Sequence, residues 1–164
     1  MSLLSRLSKG RTAASADPST DSAPGHWRSM LVPAVDQPFS TRCLEVAFRL
    51  AQRSSTRVQL AYFIEVPRIL SLSADMPDAE EVAASSLNVA ERTAIPYKIQ
   101  VESVIHRTRS AQDSILSLIP EENIDLLVLG ARPDRLRGLP REMARELFLA
   151  APCEVIVDYI ANER

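Results

Sequence analysis

From Ser29 to Ile160 the apolar positions follow two alternating rhythms. Four runs are apolar almost throughout: "SMLVPAV" from Ser29, "RVQLAYFIEV" from Arg57, "IDLLVLG" from Ile124 and "EVIVDYI" from Glu154. Such runs predict buried strands. A fifth, "YKIQVESVIH" from Tyr97, alternates strictly and predicts a half-buried strand near a sheet edge, with Tyr97, Ile99, Val101, Ser103 and Ile105 on one side. Pro33 predicts an irregularity or bulge in the first run, because proline brings no N–H to a ladder. Between the runs, apolar residues recur at helical spacing. Ser40 caps a first helix with Cys43, Ala47, Leu50 and Ala51 inward and Arg42, Glu45, Arg49 and Gln52 outward. Pro77 opens a second, with Asp78, Glu80 and Glu81 in its first turn and an inner face of Val82, Ala83, Ser86, Val89, Ala90, Thr93 and Ala94. Ser110 caps a third carrying Ala111, Ile115, Leu118 and Ile119. Pro140 begins a fourth that turns Met143, Ala144, Leu147, Phe148 and Ala151 inward.

Strands that alternate with helices imply right-handed crossovers. The expected fold is therefore α/β: a single doubly wound, five-stranded parallel sheet with helices on both faces, Rossmann-like in kind. Ligands of such sheets bind beyond the carboxyl ends of the strands, where the strand order reverses. Two places qualify, "VDQPFS" after the first strand and Gly130 after the fourth.

Composition limits what that crevice serves. A net charge of −2 speaks against a nucleic-acid partner. No apolar run reaches the roughly eighteen residues of a membrane span. Cys43 and Cys153 stand far apart without a CxxC motif, which suits a reducing cytoplasm. Two histidines, His26 and His106, are too few for an all-protein zinc site. Residues 1–28 differ from the domain that occupies 29–164: "TAASADPSTDSAPGH" lacks the apolar surface to fold and is expected to be disordered. Ahead of it, "MSLLSRLSKGR" sets Leu3, Leu4 and Leu7 against Arg6, Lys9 and Arg11. That segment reads as a frayed terminus, as a short amphipathic helix meeting a membrane or partner, or as a transit-peptide-like leader.

Catalytic motifs are missing. The chain has no GxSxG elbow, HExxH, GK[ST] phosphate loop or GxGxxG after the first strand. His106 has no prepared nucleophile beside it and reads as a histidine of the sheet edge; Cys43 and Cys153 read as small buried hydrophobes. The expectation is a protein that is not an enzyme.

Four stretches carry a family resemblance: "MLVPAVDQPFS", "DLLVLGA", "APCEVIV", and "FIEVPRILSLSADMP" taken with "HRTRSAQDSI". Together they resemble the universal stress protein family over Ser29 to Ile160, and the last resembles a subgroup found with amino-acid and cation transporters. The resemblance implies a fold like that of adenine-nucleotide alpha hydrolases. It also implies a homodimer paired through the last strand, and a membrane transporter as partner.

Nucleotide-binding members carry G-x2-G-x9-G-[ST]. Gly130 matches the first glycine, but Pro133 stands at the second and has no N–H to donate. The last pair falls on Met143 and Ala144 counted forward, or on Arg141 and Glu142 counted back from Ala151. Asp36 is implied near a nucleoside. Ile64 and Val128 are implied along a base, although both also read as plain core. Arg132, Arg135, Arg137, Arg141 and Arg145 offer either an anion site built from Arg132, Arg137 and Arg141, or a solvated surface neutralised by Asp134, Glu142 and Glu146. The implied function is regulatory, with a degenerate nucleotide loop and no cofactor, ATP, AMP or cyclic di-AMP binding at most weakly. The alternative is a sensor of an adenine nucleotide or cyclic dinucleotide in the same crevice.

Overall fold

The computed structural model describes residues 25–131 and 138–159. The elements follow the chain as β1 (Ser29–Val35), α1 (Thr41–Ser54), β2 (Arg57–Glu65), α2 (Pro77–Ala94), β3 (Val101–Thr108), α3 (Ala111–Glu121), β4 (Leu126–Ala131), α4 (Arg141–Ala150) and β5 (Glu154–Tyr159). The strands form one parallel sheet in the order β3-β2-β1-β4-β5. Alternate residues of β1 feed two cores. Met30, Val32 and Ala34 pack with α1 and α2, while Leu31 and Val35 pack with α3 and α4. That is why the central strands are apolar at nearly every position.

Ser40 caps α1 by accepting the Cys43 N–H at 3.5 Å, and Ser110 caps α3 through the Asp113 N–H at 3.3 Å. Pro33 makes no bulge: it stays in register opposite Ala61 of β2. Its effect falls on the other neighbour. The β1–β4 pairing covers only Met30↔Leu126 and Leu31↔Leu127. Asp36, three residues on, donates its N–H to Phe63 of β2, so by the strand's period of two Pro33 faces β4, where its missing donor ends the ladder.

Several inward assignments shift. Leu44 and Phe48 join the buried side of α1. In α2 the buried stripe is Ala83, Ser86, Leu87, Ala90 and Ala94, which leaves Val82 41% and Val89 54% exposed. Small residues let α2 lie close to the sheet, so the two valines fall on its flank. Phe148 of α4 is 54% exposed rather than inward. The edge strand β3 starts at Val101, not Tyr97, because Ile95–Tyr97 form a 3₁₀ turn and Lys98 takes φ 53. Ile105 accordingly lies outward and Val104 packs on the α3 side. No helix among the described residues is long and apolar enough to cross a membrane. Residues 1–24 of the expected disordered tail lie outside the described residues.

Candidate functional site

β1 lies between β2 and β4, so the winding reverses beside its carboxyl end and a crevice opens there. Asp36 sits at the tip with φ 52, a conformation in which Asp is tolerated better than most residues. Its N–H donates to the Phe63 carbonyl, and its Oδ1 accepts the Glu65 N–H, both at 3.0 Å. The Glu65 Oε1 in turn accepts the Ala111 N–H at 2.8 Å, at the start of α3. Two carboxylates therefore stand side by side at the strand tips. Burial raises the Asp36 pKa above its ordinary value; the hydrogen bond from the Glu65 N–H opposes this and the Glu65 charge adds to it. Burial, helped by the Asp36 charge, also pushes the Tyr62 phenol to about 12. The crevice holds about 220 Å³ between Asp36, Glu65, Gly138, Pro140 and Met143.

Gly130 is a packing glycine. A Cβ there would lie 2.8 Å from the Cys43 Cβ and 3.1 Å from the Ser40 Cβ, so its bareness lets the first turn of α1 rest on β4. Gly138 has φ +79, and a Cβ on it would meet the Gly130 carbonyl oxygen at 2.3 Å. The Gly138 N–H donates to the Pro38 carbonyl at 2.9 Å and the Leu139 N–H to the Gly130 carbonyl at 2.7 Å. Leu139 also bridges to Ala131 and is 1% exposed. Residues 138–139 thus form a seam across the tips of β1 and β4. Its amides are satisfied by the chain's own carbonyls instead of pointing toward an anion. The seam leads into α4, whose N-terminus has Pro140 at the cap position, no side-chain cap and Glu142 in its first turn.

Of the residues singled out in the sequence, Asp36 and Met143 line this crevice, and Gly130 lies behind the seam, its carbonyl accepting the Leu139 N–H. Ile64 and Val128 are fully buried in the α1–α2 core and do not line it. Arg141 stands elsewhere. Its guanidinium lies 5.6 Å from the Tyr159 ring centroid, in an apolar groove with Ala144, Arg145, Phe148 and Val157 beside β5. Arg132 and Arg137 lie outside the described residues, as do Pro133 and Arg135. Glu65 and Leu139 escaped the sequence reading; an acid closing an apolar strand was the available signal for Glu65. His106 stacks on Phe63 with ring centroids 5.0 Å apart, and its Nε2 is buried without a hydrogen-bond partner. Burial lowers its pKa, with the charges of Glu122 and Glu121 opposing. Among the described residues no three His, Cys, Asp or Glu side chains gather to hold a metal.

Residues 26–158 match the universal stress protein family. No curated protein sequence is significantly similar to the chain. Solved structures share the fold. The universal stress protein from Archaeoglobus fulgidus in complex with dAMP is 15% identical over 80% of this chain and 98% of that one, with a TM-score of 0.62. A universal stress protein in complex with cAMP is 18% identical over 83% and 99%, with a TM-score of 0.61. A family member from Arabidopsis thaliana with AMP bound is 11% identical over 82% and 92%, with a TM-score of 0.58.

Proposed function

Because the chain belongs to the universal stress protein family, with residues 26–158 matching it, we propose that it is a regulatory member acting through protein contact, its nucleotide crevice closed by its own backbone. The observation that carries this reading is the Gly138–Leu139 seam, whose amides are bonded to Pro38 and Gly130. Among the described residues the space there is about 220 Å³, below the roughly 300 Å³ at which small-molecule pockets begin. Asp36 and Glu65 would also face a phosphate with like charge. On this reading the protein turns over no substrate and works in the cytoplasm, the setting its widely spaced cysteines suit.

Two contacts belong to the proposal. The first is a homodimer through β5, an edge strand partly covered on both faces that ends on exposed Tyr159, with Phe148 and Leu149 of α4 exposed as well. The second is a membrane transporter. Support for it comes from the subgroup resemblance and from the form of the loop that carries it. Arg109 donates to the carbonyls of Val66, Pro67 and Leu70, and Arg107 to those of Leu72 and Ala74 and to the Glu80 carboxylate. These bonds hold Ile69, Leu70 and Leu72 out in solvent.

A nucleotide sensor is the second reading. Relatives with dAMP, cAMP and AMP bound favour it, and so does the uncapped N-terminus of α4 beside the crevice. Mass spectrometry of the protein purified under native conditions and then denatured separates the two. The proposal expects no released nucleotide; a stoichiometric adenine nucleotide would replace it with the sensor.

A further inference from the structure

A second cavity shares no lining residue with the crevice. It is a groove of about 520 Å³ between the first turns of α1 and the outer flank of α2. Its floor is apolar, from Phe39, Leu44, Val82 and Val89, and its rim carries Asp78 and Glu81. The two valines are the residues that helical spacing in α2 placed inward and that the fold leaves exposed. The groove's back wall is fixed, because the Ser86 hydroxyl accepts the Phe39 N–H at 3.0 Å and Phe39 packs edge-on against Tyr62.

We propose that this groove is the docking site of residues 2–11 of the same molecule, "SLLSRLSKGR", which would fold against it as a short amphipathic strap. Three arguments converge. Leu7 follows Leu4 by three residues and Leu3 by four, so in a helix it would stack beside both and offer an apolar face to the floor. Arg6, Lys9 and Arg11 carry positive charge without an acid before Asp17, opposite to the rim of Asp78 and Glu81. Reach fits as well. The described chain begins at Gly25, at the base of β1, while the groove opens near its tip. Crossing β1 spans about 23 Å at ~3.3 Å per residue. A flexible chain as long as the connecting residues 12–24 would have a root-mean-square length of about 20 Å. A tether whose typical length matches its span gives an effective concentration on the order of millimolar. An intrinsic dissociation constant of ~0.2 mM would then leave the strap docked about five times out of six. Docking would cover an exposed apolar face and neutralise its acidic rim. It would make this face available to a partner only when the strap is displaced.

Hydrogen exchange of the full chain, read by mass spectrometry, tests this independently of nucleotide binding. Residues 3–8 should exchange roughly sixfold more slowly than an unstructured peptide. That protection, with part of the protection of residues 78–89, should vanish in the Leu4→Ser/Leu7→Ser chain while α3 and β4 stay unchanged. Glu81→Arg should weaken protection and Arg6→Glu in the same chain restore it. Exchange of residues 3–8 at the unstructured rate would overturn the proposal. Protection lost on tenfold dilution would assign the groove to a second copy, and protection seen only with anionic phospholipid vesicles would assign the segment to a lipid surface; either result also overturns it.

Discussion

Replacing Gly138 by alanine tests the seam that closes the crevice. Two costs combine. The residue holds φ +79, where an L side chain costs about 1–2 kcal/mol. The new Cβ would also meet the Gly130 carbonyl oxygen at 2.3 Å, a backbone atom that cannot rotate away. Relief requires residues 138–139 to lift. That breaks one or both of the bonds from Gly138 to Pro38 and from Leu139 to Gly130, each worth about 0.5–1.5 kcal/mol. The expected loss is roughly 2–4 kcal/mol, or about 5–15 °C in Tm for a chain of this size. Gly25→Ala provides the control, because Gly25 has φ +93 but a Cβ there meets nothing within 4 Å, so only the conformational cost of about 1–2 kcal/mol applies. Gly138→Asn separates the two costs further, since asparagine tolerates positive φ yet carries the same Cβ. Urea unfolding followed by circular dichroism gives all three values. If Gly138→Ala proves no worse than Gly25→Ala, the seam is not a tight closure and the reasoning fails.

Other residues make separate expectations. Asp36→Asn keeps the acceptor for the Glu65 N–H and suits φ 52, so it should be neutral or stabilising at pH 7, whereas Asp36→Ala should cost about 1–3 kcal/mol in urea midpoints. The folded Asp36 pKa is raised, so the unfolded chain releases that proton first and the group disfavours folding as pH rises past its folded value; the advantage of Asp36→Asn should therefore be larger at pH 7 than at pH 4. His106 has a lowered folded pKa, so its neutral form favours the fold at pH 7.5 and this is lost as pH falls below about 6.5; His106→Phe, which can keep a stack on Phe63, should lack that part of the pH dependence in thermal melts. Glu154 donates its N–H to Asp125, so by alternation the Val157 N–H points to the open edge of β5. Val157→Pro should leave the β4 ladder intact and shift a dimer to monomer in sedimentation equilibrium; a wild-type monomer at micromolar concentration would contradict the dimer.

The strand–helix order was legible because each central strand is covered on both faces and reads as a nearly continuous apolar run. Less legible were features set by the packing of elements against each other. Val82 and Val89 fit a helical stripe as well as Leu87 does, and only the close approach allowed by Ala83, Ala90 and Ala94 decides which side meets the sheet. The edge strand β3 lost its first residues to a 3₁₀ turn at Pro96, since an alternating pattern does not encode where pairing begins. At the crevice, Asp36 and Gly130 could be read from the two strand ends. The sequence could count the missing motif glycines, but it could not show that Gly138 had come to rest on the carbonyl of Gly130, a contact between residues eight apart that depends on the loop's return path. Arg141 looked like a phosphate ligand by position; its direction, over Tyr159, is set by how α4 packs beside β5.

Isothermal titration of the purified chain with ATP, AMP, cAMP and cyclic di-AMP tests the central claim most directly. A phosphate arriving at the crevice would find the seam amides already bonded and the Asp36 and Glu65 carboxylates nearby. Forgoing two charge-assisted hydrogen bonds at about 1.5–3 kcal/mol each weakens a micromolar site at least a hundredfold. No heat, or dissociation constants near the millimolar range, is the result the account predicts for all four ligands. A micromolar constant for any of them would contradict it and identify the crevice as a working nucleotide site.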